Sequence, residues 1–298
     1  MPQGTRSPIF EAAALSFAAA ALFVAETVFV KLLAGMVPVT TIVLVRAAAQ
    51  ILWVLPALAR GGFAVLRTSH PLLHLMRGLF SLACWVLYYW SFQHLDLATA
   101  TVLSFTSVLF VTALAGPVLG EVVRWRRWSA TLVGFAGVVV IARPGSCGLD
   151  PAVAVALVSA LFGAGIVLTT KQLSRTERTD TIMVHIGLVT FAGALPLALP
   201  ALTLPEPWQA GWLALMAVAG PAGMQLWISA FRLADASVLA PLSYVRLVFA
   251  GIAGLMLFGE RPDGWTVAGS ALIVGSALYI TRREAALARQ RAAIPDRR

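Results

Sequence analysis

The sequence predicts an all-α membrane protein in which ten transmembrane helices form two inverted five-helix repeats around a central cavity. Three observations lead to this fold class. First, 59% of the 298 residues are hydrophobic and only 12% are charged, whereas a soluble domain carries about 25% charged residues. Second, the apolar residues are gathered into runs that are long enough to cross a bilayer. Third, motifs of the first half recur in the second half.

Ten apolar runs each predict one transmembrane helix, because a helix needs about 20 apolar residues to cross the hydrocarbon core. The runs are continuously apolar rather than alternating, which favours helices over strands. The predicted spans are residues 9–33, 38–59, 71–93, 97–119, 126–142, 151–173, 180–201, 208–231, 237–258 and 264–281. The first run is longer than the apolar part of a signal peptide, so we expect it to remain in the protein.

The segment from Phe92 to Glu121 recurs 139 residues later as the segment from Phe231 to Glu260. The identical pairs are Phe92/Phe231, Asp96/Asp235, Leu103/Leu242, Ser104/Ser243, Phe110/Phe249, Gly120/Gly259 and Glu121/Glu260. The predicted units are an N-terminal repeat (1–145), a C-terminal repeat (146–281) and a basic cytoplasmic tail (282–298). Because each repeat has an odd number of spans, the second enters the membrane from the opposite side. Inverted repeats are typical of transporters, whose substrate site lies where the halves meet.

The basic residues predict the orientation of the chain. If the N-terminus is cytoplasmic and ten spans alternate, 17 of the 22 Lys and Arg residues fall on the cytoplasmic side and 3 on the outer side. The positive-inside rule then places both termini in the cytoplasm. The net charge of +9 is attributed to this topology and to contact between the tail and anionic lipid, not to nucleic-acid binding. We expect a monomer that passes many times through the inner (plasma) membrane.

Three ionisable residues lie within predicted spans, where a charge at the bilayer centre costs at least about 2.5–3.5 kcal/mol. They are Glu26 in the first span, Arg46 in the second and Arg246 in the ninth. Glu26 and Arg46 are predicted at similar depths. Either they pair and fix the helix packing, or Glu26 faces the cavity and binds an ammonium group or a proton. Arg246 either anchors a substrate carboxylate through its planar fork of donors or bonds within the protein.

Polar and aromatic side chains on the same spans complete the set of cavity candidates. Arg77, Ser81 and Tyr88 recur on one face of the third span, with Trp85 beside them. The full set of substrate-binding candidates is Arg246, Tyr244, Ser243, Arg77, Ser81, Trp85, Tyr88, Ser104, Ser107, Gln225, Trp227 and His185. The alternative for the hydroxyls is a bond to their own helix backbone or to a neighbouring helix. The alternative for the lone histidine is an ordinary hydrogen bond.

Two further features are interpreted as structural. Tyr88, Tyr89 and Trp90 lie near the predicted outer interface, where an aromatic belt is the preferred interpretation. Glu121 and Glu260 end the fourth and ninth spans. Because helix C-termini disfavour anions, each carboxylate is expected to bond to the next turn or to cap the helix that follows it.

The repeated motifs resemble those of the drug/metabolite transporter superfamily, in particular its EamA-type ten-helix exporters. The matching residues are Gly120-Glu121 and Gly259-Glu260, Arg77-Gly78, Leu103-Ser104-Phe105-Thr106, Arg126-Arg127-Trp128 followed by Gly134 and Gly137, and Pro241, Tyr244, Arg246 and Gly254. The resemblance covers nearly the whole chain. It implies a central cavity lined mainly by helices 3, 4, 8 and 9 and reached by helices 1 and 6. Val108 stands where many relatives have proline, so the fourth helix is expected to be straighter here.

The resemblance also implies a transporter that exports amino acids or related small metabolites by alternating access, similar to bacterial exporters of aromatic amino acids. Relatives also carry riboflavin, S-adenosylmethionine, nucleotide sugars or organic cations, so a cofactor, nucleobase-like or organic-cation substrate is the alternative. An intramembrane enzyme is not expected, because the spans contain no His-Glu-x-x-His motif and no Asp pair. Cys84 and Cys147 have no paired spacing, and neither a metal nor a cofactor is expected.

Overall fold

The computed structural model describes residues 8–119, 125–142, 150–173, 176–233 and 245–292. Within these ranges the chain forms α-helices joined by short connections, and it contains no β-strand. The helices are α1 (Pro8–Leu32), α2 (Val39–Gly61), α3 (Pro71–His94), α4 (Leu97–Ser104), α5 (Thr106–Leu119), α6 (Trp125–Ala142), α7 (Pro151–Leu173), α8 (Thr179–Ala198), α9 (Pro207–Leu233), α10 (Val245–Phe258) and α11 (Gly264–Ala292). Two 3-10 helices, Gly62–Leu66 and Leu199–Ala201, follow α2 and α8 directly.

Most of these helices suit a bilayer by length and composition. In the described part of the chain, six segments are long and apolar enough to cross a membrane: Glu11–Leu32, Val39–Arg60, Pro71–His94, Leu97–Leu114, Pro151–Leu173 and Thr179–Ala201. Three shorter apolar helices are Trp128–Ala142, Val245–Phe258 and Gly264–Ile280. Large apolar side chains such as Leu132 and Met256 are exposed on the helix surfaces. Extensive exposed apolar surface is typical of contact with a membrane or with another protein.

The helix bounds follow the predicted spans closely in the middle of the chain and differ at its end. α7 runs from Pro151 to Leu173, as the apolar run of the sixth span predicts. The last span was predicted to stop at residue 281, but α11 continues to Ala292. Residues 282–292 are rich in Ala and Arg, which are good helix formers. The first part of the predicted basic tail is therefore helical.

The fourth predicted span is interrupted at a single residue, Phe105, and the expectation that it is straighter than in relatives stays a prediction. α4 ends at Ser104 and α5 begins at Thr106. The backbone N–H of Phe105 donates to the carbonyl three residues earlier at 3.0 Å. The hydroxyls of Thr101, Ser104 and Thr106 donate to backbone carbonyls three or four residues before them. Such back-bonding bends helices, which explains a break in a segment that contains no proline at this point.

Helices from the two halves of the chain pack against each other in pairs. α1 contacts α9, α3 contacts α7, α2 contacts α8, α4 contacts α10, and α6 contacts α11. α6 and α11 approach closely at Gly137 and Gly269, where a Cβ atom on either glycine would lie 2.6–2.7 Å from the carbonyl oxygen of the other. A larger residue at either position would separate these two helices.

The main buried apolar cluster joins α1, α2, α3 and α9. Its buried members include Val28, Ile42, Tyr89, Phe92 and Met216. This cluster surrounds the part of the bundle in which the ionisable residues of the first and second spans lie. Close packing here fixes the side chains that carry those charges.

Candidate functional site

A buried ion pair joins α1 to α2. Glu26 and Arg46 are 1% and 3% exposed, and Arg46 Nε lies 2.7 Å from Glu26 Oε1. The hydroxyl of Tyr89, on α3, donates to the same carboxylate oxygen at 2.7 Å. The structure therefore brings together the two residues whose pairing the sequence left open, and it adds a third partner that lies 63 residues from Glu26 in the chain.

Arg46 is fixed on two further sides. Its guanidinium carbon lies 3.7 Å from the centroid of a Trp85 ring, which is a cation–π contact. Its Nη1 donates to Gln50 Oε1 at 3.3 Å, and Gln50 Nε2 donates to the carbonyl of Met183 on α8 at 3.2 Å. Arg46 Nη2 is buried and has no hydrogen-bond partner among the described residues.

α9 passes directly over the Glu26 carboxylate at Gly220. A Cβ atom at this position would collide with the carboxylate of Glu26. The next residue, Pro221, lies inside the helix and has no backbone N–H. Only glycine lets the α9 backbone come this close, so Gly220 holds the carboxylate in its position against Arg46.

Arg246, near the start of α10, reaches across to α3. One of its Nη atoms donates to the hydroxyl of Tyr88, and Tyr88 shares a side-chain hydrogen bond with Ser104 of α4. The rings of Phe23 and Tyr88 each have their centroid 5.6 Å from the guanidinium carbon. Arg246 Nε is buried without a partner in the described part of the chain. This arginine is thus surrounded by hydroxyl and aromatic groups.

Arg77, which is 5% exposed, is also bound by hydroxyl groups. Its Nε donates to Thr170 of α7 at 2.6 Å. Its Nη1 donates to Ser81, one turn further along α3. These contacts join α3 to α7, two helices from different halves of the chain.

The guanidinium groups of Arg46, Arg77 and Arg246 all contact side chains of α3. We refer to these three residues as the arginine cluster. Among the described residues, Glu26 is the one carboxylate that bonds to any of the three. Their positive charge therefore exceeds the negative charge beside them, which suits a bound anionic group. No group of three His, Cys, Asp or Glu side chains in the described ranges is placed to hold a metal ion.

The interpretation of Tyr88 and Tyr89 as part of an interfacial aromatic belt is wrong. They are 6% and 0% exposed, and both hydroxyls bond to charged side chains inside the helix bundle. A buried tyrosine hydroxyl needs such a partner, which explains why these rings turn inward. Trp90, by contrast, stacks on His94 with 3.8 Å between the ring centroids.

Two other predicted candidates, Gln225 and Trp227, lie outside the arginine cluster. Gln225 is exposed and accepts a hydrogen bond from Trp53 Nε1 at 2.9 Å. Trp227 is 38% exposed on the same helix, α9. Ser243 and Tyr244 lie outside the described residues.

Ser107 and His185, the remaining candidates, lie in different parts of the bundle. A Cβ atom on Gly163 of α7 would lie 3.5 Å from Ser107 Cβ and 3.8 Å from Cys84 Sγ, so Ser107 and Cys84 both face Gly163. His185 lies elsewhere, on α8. Its ring stacks on that of His74, a residue that the sequence did not single out.

A second ion pair, which the sequence did not predict, joins the ends of α1 and α10. Lys31 Nζ bonds to Glu260 and donates to the carbonyl of Leu95 at 2.7 Å. Glu260 Oε2 accepts the backbone N–H of Leu97 at 2.7 Å. The carboxylate therefore caps α4, in the other half of the chain, and not the helix that follows it. The positive N-terminus of α4 and the Lys31 ammonium both attract the anion to this place. Glu121 lies outside the described residues.

A model of the EamA-like transporter family matches the chain twice, over residues 11–143 and 150–282. The S-adenosylmethionine uptake transporter of Rickettsia prowazekii (strain Madrid E) is 32% identical over 236 residues, which cover 77% of this chain and 78% of that protein. The riboflavin transporter of Vibrio cholerae serotype O1 is 33% identical over 251 residues, or 83% of this chain and 84% of that protein. The pseudopaline exporter CntI of Pseudomonas aeruginosa (strain UCBPP-PA14) is 29% identical over 272 residues, or 90% and 95%.

The fold itself has a counterpart among solved structures. One crystal structure superposes on this chain with a TM-score of 0.59 at 22% sequence identity. The superposition covers 95% of this chain and 99% of that one. The similarity extends over the whole helical bundle.

Proposed function

This chain belongs to the EamA-like transporter family, and we propose that it carries a cofactor-sized metabolite with a carboxylate group, S-adenosylmethionine being the first candidate. Membership in the family makes the chain a multi-pass membrane transporter and not an enzyme. The family resemblance carried by the repeated motifs is thereby confirmed. The substrate is inferred from the charge and shape of the candidate site.

The excess of positive charge at the site supports a substrate with a carboxylate. Arg77 and Arg246 bond to hydroxyls, and among the described residues neither bonds to a carboxylate. A charge inside a membrane protein is costly unless it is paired, so an anionic substrate group supplies the missing partner. Arg246 is the best anchor, because its Nε is buried without a hydrogen bond. Arginine commonly binds a carboxylate through two parallel N–H donors.

Aromatic rings beside the arginines favour a substrate that also has a flat ring. Phe23, Trp85 and Tyr88 all lie against the guanidinium groups, and aromatic side chains stack well on planar ligands. S-adenosylmethionine combines a carboxylate with an adenine ring. The relatives named above carry S-adenosylmethionine, riboflavin or pseudopaline. Their names favour the cofactor alternative over the export of free amino acids that the sequence analysis put first.

Exchange of labelled compound in proteoliposomes tests the substrate and its anchor together. Vesicles that contain the purified chain and unlabelled S-adenosylmethionine should take up radiolabelled S-adenosylmethionine from outside. Arg246→Ala should slow this exchange by about tenfold or more, because a hydrogen bond to a charged group contributes about 1.5–3 kcal/mol. Initial exchange rates at equal protein content give the comparison.

Gln225→Ala is the matched control, since Gln225 is exposed on α9 and the change should leave exchange unaltered. Labelled riboflavin, which has a flat ring but no carboxylate, is the second compound. Riboflavin exchange without any S-adenosylmethionine exchange would overturn the proposal that the substrate has a carboxylate group. Equal S-adenosylmethionine exchange by the wild type and Arg246→Ala would overturn the anchor.

We further propose that ten helices cross the inner membrane as two inverted halves with both termini in the cytoplasm. Two contacts support this alternation. Thr68, in the connection before α3, donates to Glu177, in the connection before α8, at 2.7 Å. Ten alternating spans put both connections on the cytoplasmic side. Lys31 and Glu260 bond to each other, and the same count puts both of them on the outer side.

The helix pairs are also consistent with a two-fold relation between the halves. If α4 and α5 count as one span, this relation places α1 on α7, α2 on α8, α3 on α9, α4 on α10 and α6 on α11. It therefore turns the pair α1–α9 into α7–α3 and leaves the pairs α2–α8, α4–α10 and α6–α11 unchanged. All of these pairs are in contact. The arginine cluster draws on α2 and α3 from one half and on α7 and α10 from the other. A rocking motion between the halves would therefore expose the cluster to each side of the membrane in turn.

A further inference from the structure

Two histidines from different halves of the chain stack inside the bundle, and one of them, His74, lies three residues before Arg77 on α3. The ring centroids of His74 on α3 and His185 on α8 are 4.4 Å apart and the rings are tilted by 33°. His74 is 1% exposed. Neither of its ring nitrogens has a hydrogen-bond partner among the described residues. Buried polar groups in proteins are nearly always bonded, so this ring needs an explanation.

The hydrogen bond of His185 defines which of its nitrogens is free. Its Nδ1 lies 2.8 Å from the carbonyl oxygen of Thr181. A carbonyl only accepts hydrogen bonds, so Nδ1 carries the hydrogen. In the neutral ring Nε2 then has the lone pair and can take up a proton. The stacked pair thus offers basic nitrogens at a place where the protein supplies His74 with no bonded partner.

The charges around His74 favour one added proton over two. The titratable and charged groups that act on it are His185 from α8, Glu177 from the connection before α8, His70 from the residue before α3, and Arg77 from α3 itself. Burial opposes a charge on His74 most strongly, and Glu177 is the one anion of this set that attracts a proton to the pair. Arg77 and a second protonated imidazole in the stack would oppose a further positive charge.

We propose that His74 and His185 form a proton-binding site that couples transport to the movement of a proton. The site lies where α3 packs on α8, and these helices belong to different halves. Thr190 of α8 donates to the carbonyl of Gly78 on α3 at 3.5 Å, so the two helices are close along this interface. Gain or loss of a proton changes the repulsion across the stack and hence the contact between the halves. The coupling, unlike the proton site itself, rests on the proposed transport function.

Histidine NMR tests the proton site without any substrate. The chain has four histidines, and His70 and His94 are exposed, which makes them internal references. In the purified full chain, the ring signal of His74 should shift with pH between pH 5 and 8, as expected of a histidine that binds a proton. His185→Gln should move the titration midpoint of His74 by about one pH unit, as expected for interacting sites.

His94→Gln is the matched control, because it lies at the far end of the same helix and should leave the His74 curve unchanged. A His74 signal that does not titrate in this range, or whose midpoint is the same with and without His185, would overturn the proton site.

A pH gradient across proteoliposomes tests the coupling. If one proton moves with each substrate, a gradient of one pH unit supports up to about tenfold accumulation of S-adenosylmethionine. His74→Gln and His185→Gln should abolish this accumulation while exchange without a gradient continues, and His94→Gln should retain both. Accumulation that persists in both variants would overturn the coupling. Absence of all exchange in the wild type would overturn the proposed substrate, and the NMR result would still decide the proton site.

Discussion

At the scale of single residues, the three arginines in the interior differ in the partners that the fold gives them. Arg46 has a carboxylate, Glu26, within 2.7 Å, whereas Arg77 and Arg246 have hydroxyl groups. A carboxylate neutralises the charge of its arginine, but a hydroxyl only orients the guanidinium. We therefore propose a structural role for the Glu26–Arg46 pair and a ligand-binding role for the other two arginines.

Loss of the Glu26 charge should destabilise the protein strongly. Glu26→Gln leaves Arg46 buried without an anion, and breaking a buried ion pair from one side costs about 3–5 kcal/mol. The double variant Glu26→Gln with Arg46→Gln should lose less stability than Glu26→Gln alone, because no unpaired charge remains. Unfolding in detergent, followed by circular dichroism at pH 7, measures both differences.

Glu11→Gln provides the control for that experiment, since Glu11 is exposed on the same helix and should have little effect. A Glu26→Gln variant as stable as the Glu11→Gln control, but with an altered pH dependence of transport, would contradict the structural role. It would favour Glu26 as a proton carrier instead.

Single residues of the site could be identified from the sequence where a charge interrupts an apolar run. Glu26, Arg46 and Arg246 are such cases, because a charge in a membrane span is rare and needs a reason. The partners could not be identified in the same way. Tyr89 lies 63 residues from Glu26, and its aromatic ring near a helix end is equally typical of an interfacial belt. Nothing in the sequence singles out His74, because only its position opposite His185 in the fold distinguishes it.

At the scale of helices, the positions of most elements follow from the apolar runs, but their breaks do not. Apolar length predicts where a helix of about 20 residues lies. The break between α4 and α5 depends instead on hydroxyls that bond to the backbone. Serine and threonine in a span are equally compatible with a continuous helix, so the sequence offered no means to choose.

The carboxylate of Glu177 joins the connection before α8 to the connection before α3, and this contact should depend on pH. Glu177 accepts hydrogen bonds from Thr68 Oγ1 at 2.7 Å and from the Ser69 backbone N–H at 3.1 Å. Burial acts to raise the pKa of Glu177, but these hydrogen bonds outweigh it and hold the pKa below its usual value of 4.5. A lowered pKa stabilises the fold above pH 4.5, and this contribution is lost as the pH falls through the lowered pKa.

Glu177→Gln should therefore lower the melting temperature at pH 7, and the difference from the wild type should shrink below pH 4.5. Asp180→Asn is the control, because Asp180 is 3.9 Å from Arg178 in a pair whose side chains are 40% and 77% exposed. Exposed pairs of this kind contribute little. Thermal scans from pH 3.5 to 7 provide the data, and a Glu177→Gln deficit that stays constant over this range would contradict the role of the charge.

At the scale of the whole molecule, the repeat is visible in the sequence, but the contacts between its halves are not. The recurrence of Gly259-Glu260 after 139 residues indicates duplication, and the family model matches both halves. The sequence does not indicate that Glu260 would bond to Lys31 and to the α4 backbone. That contact joins two residues that are 229 positions apart in the chain, and it depends on how three helices from both halves meet.

The Lys31–Glu260 contact should hold the ends of α1, α4 and α10 together. The side chains of Lys31 and Glu260 are 15% and 9% exposed, so solvent screens the pair less than a surface pair. Glu260→Gln removes the charge that serves both Lys31 and the N-terminus of α4. Because charge-assisted hydrogen bonds contribute about 1.5–3 kcal/mol, the three helix ends should separate more often in the variant.

Maleimide labelling of a cysteine placed at Leu95 measures that separation, since the carbonyl of Leu95 also binds Lys31. Glu260→Gln should speed the labelling by about tenfold, the factor that corresponds to 1.4 kcal/mol. Glu206→Gln is the matched control: its exposed carboxylate accepts a hydrogen bond from Trp208, two residues later in the first turn of α9. Equal labelling rates in the two variants would mean that packing of α1, α4 and α10 closes this end of the bundle without the charge.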